Sequence, residues 1–417
     1  MNNASSKWSR RYDSILAFKR TFNAVLPAVL LALAVGQIYA FTLFSDPIAT
    51  AIGSTQPKVQ FAFSLGIFFL GMGAAFFGKI VEKNIKLSTV IGTLLFIAGL
   101  TVTAIGINVK SLALIYLGYG FLVGTGTGII YISPVKTLML WFLKHKAVAA
   151  AVPIISFGLG SSLCTLLYKA LYGACGITFI FYALAVVYLV PMAIGTFLLR
   201  KPAAAVREAN RAAALAASSP AGDAFSYGKL LCDGYFIRSW LFMFMNISCG
   251  LSLIPLSKQM MATIHYGDAL INGILVGCGL MNGAGRFIFA WWSDRLAHRI
   301  NILLILLAVS VGVMGLSFYP ILIGLTLLVI NACYGAGFST IPAVLADHFG
   351  MSNISKIHGA VLSAWGVAGL VGTQISLRVF NKWGMIGVST MLVIGYAVNY
   401  LNVLSLKGRA GVQGRSK

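Results

Sequence analysis

Twelve stretches of this chain are each about as long and as apolar as a bilayer crossing requires, and this limits the fold more than any other feature. A crossing takes about 20 apolar residues. The stretches lie near 23–44, 59–80, 88–107, 111–140, 147–170 and 176–199, then near 236–257, 269–292, 301–318, 320–346, 357–379 and 384–405. Backbone amides in hydrocarbon must bond within their own segment, so each run is expected to be a helix. Only 10% of the 417 residues are charged, against about 25% in soluble domains. The expected fold class is therefore all-α and integral to a membrane, with twelve transmembrane helices. The first 22 residues are polar and basic, and no small-residue cleavage site follows the first apolar run, so a span is expected there rather than a removable signal.

Charge orients these helices. The chain carries 31 Lys+Arg against 9 Asp+Glu, a net +22. With a cytoplasmic N-terminus, 23 of the basic residues fall in inside segments or at the span ends beside them, six likewise outside, and only Lys136 and Arg286 well within spans. A basic balance also suits a nucleic-acid or anionic-lipid surface. The recurrence of these residues in short inter-helix loops favours topology. Both termini are thus expected in the cytoplasm, with the bilayer as a partner and no nucleic acid; the cell (inner) membrane is expected by analogy only. An odd number of spans would spoil the bias.

Residues 200–234 form the one long connection. They begin basic and Ala-rich, as a surface helix would, until SSPAGD breaks the pattern. The expected organisation is a tail over 1–22, a six-helix bundle over 23–199, a linker over 200–234, a second bundle over 235–405 and a tail over 406–417. The halves echo each other. Gly78, Glu82 and Lys83 after span 2 recur as Ala290, Asp294 and Arg295 after span 8, at a constant offset of 212. Two six-helix repeats are a transporter plan, with the binding site expected at mid-bilayer between them. One chain holds both halves, so a monomer suffices.

Arg286 sits inside ILVGCGLMNGAGRFIFAWW, where a full positive charge costs at least ~2.5–3.5 kcal/mol on insertion scales. No acid lies within two turns of it on the same segment, so the missing negative charge is read as the cargo. Asn282 is one turn earlier on the same face. All nine acids fall in tails, loops or span ends. Lys136, near the inner end of span 4, is expected to snorkel to the headgroups. The six cysteines have neither metal nor redox spacing. GTGTG at 124–128 follows no strand; with Gly120 it reads as a helix-packing face rather than a phosphate loop. With no Ser–His–Asp set, paired carboxylates or zinc spacing, neither an enzyme, a metal nor a cofactor is expected.

The loop WWSDRLAHR at 291–299 resembles the acidic–basic motif of the major facilitator superfamily. The resemblance implies a conformational latch of Asp294 and Arg295, with Glu82 and Lys83 in the first half, where GKIVEKNIK has Glu in place of Asp. GQIYAFTLFSDPI, YLGYGFLVGTGTGIIYISPVKTLMLWF, MNGAGRFIFAWWSDR and CYGAGFSTIPAVLADHFG are similar to the oxalate–formate antiporter family. That family's binding pattern has an Arg on span 8, a Lys on span 11 and an aromatic cage. Arg286 matches the Arg, while the Lys position falls on Trp365. One cation suits a monoanion, so a small monocarboxylate is favoured over oxalate. Tyr39, Tyr131, Phe157, Tyr334 and Phe338 match the cage.

The implied function is exchange of a small carboxylate against a counter-substrate by alternating access. A proton-coupled monocarboxylate symporter is the first alternative. Such carriers hold an Asp where this chain has Asn282, which leaves His358 as the titratable candidate for proton linkage. A non-transporting anion sensor, signalling through 200–234 or the tails, is the second.

Overall fold

The computed structural model describes residues 21–202 and 226–415, and every predicted span within them is helical. The expected linker surface helix and most of the N-terminal tail lie outside the described residues, while the expected C-terminal tail is helical as far as Arg415. The first six helices are α1 (Thr21–Ile52), α2 (Gln56–Lys83), α3 (Ile85–Asn108), α4 (Leu112–Trp141), α5 (Leu143–Tyr172) and α6 (Gly176–Leu198). The second half supplies α7 (Gly234–Thr263), α8 (Asp268–Ser293), α9 (Ile300–Phe318) and α10 (Pro320–Phe349). A last helical stretch runs from Ile354 to Arg415, and its first 53 residues, to Leu406, are its membrane-spanning part.

Eleven apolar stretches thus correspond to twelve crossings. A continuous 53-residue helix would be about 80 Å long, more than twice the ~30 Å hydrocarbon core. Gly384 interrupts it at φ 60°, ψ −155°, a conformation open to glycine. The pairing on either side shows a reversal. Before Gly384, Trp240 Nε1 donates to Ser363 Oγ at 2.9 Å and Ser252 Oγ to the Gly372 carbonyl at 3.4 Å, so this segment runs parallel to α7. After it, Asn399 and Asn402 Nδ2 donate to the Phe242 and Arg238 carbonyls at 3.1 and 3.0 Å, so the chain returns antiparallel to α7. The two segments are α11 (354–383) and α12 (384–406). Gly176, at φ 70°, makes the equivalent break between α5 and α6.

The start of α1 and the ends of α4 and α6 meet on one face. Arg200 N–H donates to the Asn23 carbonyl, and Trp141 Nε1 to the Arg200 carbonyl, both at 2.9 Å. This face, where the first half ends at Lys201 and Pro202, is the terminal side. Large apolar side chains point outward around the bundle, including Phe76, Phe197 and Ile321, as a lipid-facing surface requires. Between the halves, α2 runs antiparallel along α11 with backbones almost touching. A Cβ on Gly359 would stand 2.2 Å from the Ala74 carbonyl, and one on Gly366 2.7 Å from that of Phe68.

Candidate functional site

Arg286 lies where α8 meets α5 and α10, and only 4% of it is exposed. Its Nη1 donates to the Ile154 carbonyl on α5, across the two halves. Its guanidinium stands over the Phe338 ring at 5.7 Å, a cation–π distance. Its Nε is buried with no partner. Among the described residues no carboxylate pairs with it. A guanidinium in this setting is held by a carbonyl dipole and a ring face, with no compensating negative charge.

The six aromatic residues expected at the site converge beside it. Trp365 on α11 is central, with ring centroids 5.5 Å from Tyr131, 5.8 Å from Phe157, 4.7 Å from Phe338 and 6.3 Å from Tyr39. Tyr334 meets Phe338 edge-on at 5.4 Å. Local backbone irregularity positions the first of them. The residues Gly36–Ala40 form a 3₁₀ turn within α1, a tightening that often marks a functional segment. Gly36 opens that turn against α5, where a Cβ would stand 1.9 Å from the Phe157 carbonyl. That close approach sets the Tyr39 and Phe157 rings edge-on at 5.4 Å.

Asn282 is on the expected face, but its Nδ2 donates to the Asn331 carbonyl on α10 at 3.2 Å instead of holding the guanidinium. This follows from backbone contact between α8 and α10: a Cβ on Gly335 would stand 2.3 Å from the Asn282 carbonyl. His358 is buried on α11, 6.4 Å ring to ring from Tyr131, with Nε2 unpartnered. Tyr131 Oη and Trp365 Nε1 are likewise buried without partners. Arginine and tryptophan only donate, and a tyrosine hydroxyl can donate. Apolar walls with a few convergent donors form a place for a small anion.

Access is asymmetric. Tyr39 and Asn282 are partly exposed, whereas Tyr131, Phe157, Phe338 and Trp365 are buried. On the terminal side the halves are bolted together twice, with the same logic in mirror order. Asp294, after α8, accepts the Ala147 and Val148 N–H groups at 3.1 and 2.9 Å, capping the start of α5. Glu82, near the end of α2, accepts the Ser355 N–H at 3.1 Å, capping the start of α11. Each carboxylate of one half sits on the positive end of a helix of the other.

Their basic partners differ from the expected ones. Arg295 lies flat on Trp291, 3.4 Å from its centroid, and donates to the Trp291 carbonyl. The cation on Asp294 is Arg299, through Nε at 3.2 Å and Nη2 at 3.0 Å. Arg299 also binds Asp347 at 2.6 Å, and Asp347 binds Lys146 at 3.2 Å, which links α8, α10 and α5. Burial alone would lower the Arg299 pKa, but Asp347 and then Asp294 outweigh it and raise it. Lys83 is exposed and joins no ion pair among the described residues. The cation on Glu82 is Lys136. Lys136 therefore does not snorkel: it is 4% exposed and turned inward to an acid. The motif places Arg295 next to Asp294 in sequence. A helix end turns adjacent residues apart, so the residue five positions on is the one that reaches back. No one-dimensional signal marks the Ile154 carbonyl.

Residues 25–373 match the family model described as Major Facilitator Superfamily. The chain is 25% identical over 355 residues to an uncharacterized MFS-type transporter, YhjX, of Escherichia coli (strain K12), covering 83% of this chain and 85% of that one. It is 22% identical over 379 residues to the oxalate:formate antiporter of Oxalobacter formigenes, covering 88% and 86%. Among solved structures it resembles the proton:xylose symporter XylE, with a TM-score of 0.69, 14% identity and coverage of 94% and 96%. It also resembles the human organic anion transporter MFSD10, with a TM-score of 0.63, 16% identity and coverage of 91% and 98%. At such identities the structural likenesses speak to the fold alone. The family match spans most of the chain and the twelve crossings fall into two six-helix halves: the chain is a multi-pass membrane transporter of the Major Facilitator Superfamily.

Proposed function

We propose that this transporter exchanges small carboxylate anions, monocarboxylates in preference to oxalate, by alternating access. The observation that carries the reading is Arg286: a buried guanidinium with an unsatisfied Nε, no acidic partner among the described residues, and a surrounding ring of aromatic side chains. A carboxylate would complete its charge through paired hydrogen bonds. Tyr131 and Trp365 supply further donors, Tyr39 lies at the exposed flank, and Phe157, Tyr334 and Phe338 exclude water. Asn282 acts through α10, holding the α8–α10 contact from which Arg286 projects.

The same charge accounts for exchange rather than one-way flow. An empty carrier would have to close both gates over an unpaired cation, which is strongly unfavourable in a low-dielectric site. A bound anion removes that cost, so the loaded form switches. The halves 23–199 and 235–405 would rock about the site, and Glu82 and Asp294 would hold the terminal side shut in one state. We place both termini in the cytoplasm of an inner-membrane protein, on the charge bias of the loops, and assign a monomeric unit because one chain contains both halves.

The test is counterflow in proteoliposomes preloaded with formate, lactate, pyruvate or oxalate. Labelled acid should accumulate against its gradient only when an exchangeable acid is inside. Uptake into empty vesicles driven by a pH gradient alone would replace exchange with proton symport. Saturable binding without flux would mark a sensor.

A further inference from the structure

Beneath the central site, toward the terminal side, lies a second group of polar side chains that the exchange reading leaves unused. Lys136 of α4 and Ser355 and His358 of α11 line one small gap, otherwise walled by Ile132, Val135, Met139 and Ile354. All three polar residues are at least 95% buried. Among the described residues Ser355 Oγ and His358 Nε2 have no hydrogen-bond partner. Lys136 carries three donors, and among the described residues its one polar partner is Glu82. His358 is also the neighbour of Tyr131, so the group adjoins the aromatic wall around Arg286. Lys201 and Lys356 lie within electrostatic reach of Lys136, and Lys79 and Lys83 within reach of Lys356.

Lys136 belongs to the first half, and Ser355 and His358 to the second. Glu82 holds the start of α11 against the first half at this level. Parting of that contact would widen the gap into a passage from the cage to the terminal face. Lys136 then stands on one wall, and Ser355 and His358 on the other.

We propose that Lys136, Ser355 and His358 form a second, transient carboxylate station on the terminal-side path, occupied after the anion leaves Arg286 and before it reaches solution. This rests on the carboxylate reading of the central site. The station is compressed in the closed state, and Glu82 takes the place of the substrate carboxylate on Lys136. That substitution explains why a lysine is buried in a span with an acid of the latch as its partner. On opening, the ammonium turns one of its spare donors to the passing anion, while Ser355 and His358 supply the opposing polar groups. The station acts on one face of the membrane only.

The experiment measures the concentration dependence of exchange from each face separately. Proteoliposomes are sorted by orientation through protease access to the tails, with the fastest-exchanging acid among formate, lactate, pyruvate and oxalate as probe. Lys136→Gln should raise KM for acid offered on the terminal side by about tenfold, and leave KM from the opposite face within about twofold. Lys136→Arg should restore it. Lys136→Gln leaves Glu82 half-buried without its cation and can fail to fold. For this reason Glu82→Gln/Lys136→Gln is compared with Glu82→Gln alone, a pair in which the latch charge is constant and only the ammonium differs. His358→Ala should raise the terminal-side KM in the same sense. Equal shifts at both faces, or none in the Gln/Gln comparison, would overturn the station. Loss of exchange on Arg286→Ala with no face asymmetry in Lys136 variants would sink the station and spare the central site. Full exchange in Arg286→Ala would sink the central reading itself, and the station with it.

Discussion

Arg286 of α8 donates a hydrogen bond to the Ile154 carbonyl of α5, so the charge assigned to substrate is also a tie between the two halves. A carbonyl can share that donor but cannot neutralise it. An incoming carboxylate would compete for the same Nη1, and binding would then weaken the tie. Substrate occupancy and release of the α5–α8 contact would thereby be joined at one nitrogen.

Arg286→Ala should abolish counterflow, by at least ~100-fold. Arg286→Lys should retain the charge but lose ~10-fold or more, because an ammonium cannot make the two parallel bonds of a guanidinium. Initial rates in proteoliposomes check both. Melting of the purified variants in detergent, within a few degrees of the parent, would separate lost binding from lost folding. Normal exchange in the Lys variant would refute the bidentate contact.

Trp365 stands where a second cation would face the cage, between Tyr131 and Phe338. Trp365→Lys should shift preference toward dianions. Two cations that repel each other in a dry site are best reconciled by two negative charges. The expected outcome is a rise of about tenfold in the oxalate-to-formate affinity ratio, roughly 1.4 kcal/mol. Thermal shift with each acid measures it, since a ligand that binds only the folded state stabilises in proportion to its affinity. An unchanged ratio would separate Trp365 from selectivity.

Arg299 should matter more to the closed terminal side than Arg295. The first bridges Asp294 and Asp347 while 16% exposed; the second rests on a surface ring. Arg299→Ala, Asp294→Asn and Glu82→Gln should each favour opening of that side, by about 1 kcal/mol for the capping losses. A cysteine at position 355, in a Cys232→Ser background because Cys232 is exposed, would then label several-fold faster with a water-soluble maleimide. Arg295→Ala should leave the rate near that of the parent.

Helix contacts made through glycine give a stability contrast. Gly36→Ala would drive a Cβ to within 1.9 Å of the Phe157 carbonyl, and backbone cannot yield there as a side chain could. Severe destabilisation or loss of folded protein is expected, as for other overpacked backbone contacts. Gly279→Ala meets nothing within 4 Å and should be neutral to slightly stabilising, through gained helix propensity. Fluorescence-detected size exclusion after heating distinguishes the two. Equal behaviour would contradict the α1–α5 approach.

The length and apolarity of twelve runs determined the helices and their number, because hydrocarbon admits little else and backbone bonding in a helix is local. The isolated charge at Arg286 was legible for a similar reason: its cost is a property of the segment that carries it, whatever the neighbours. Tyr39, Tyr131, Phe157, Tyr334, Phe338 and Trp365 were legible as candidates through resemblance, although nothing in their spacing brings five separate helices to one point. Their convergence was decided in three dimensions, where a 3₁₀ turn at Gly36 and backbone contacts at Gly335 set the helices against each other. The latch divided along the same line. Glu82 and Asp294 stood out in the sequence as repeat-related acids, but their partners are Lys136 and Arg299 and the first N–H groups of α11 and α5. Which cation meets which acid depends on how far apart helix ends finish after packing, and that distance is a property of the assembled bundle rather than of any one segment.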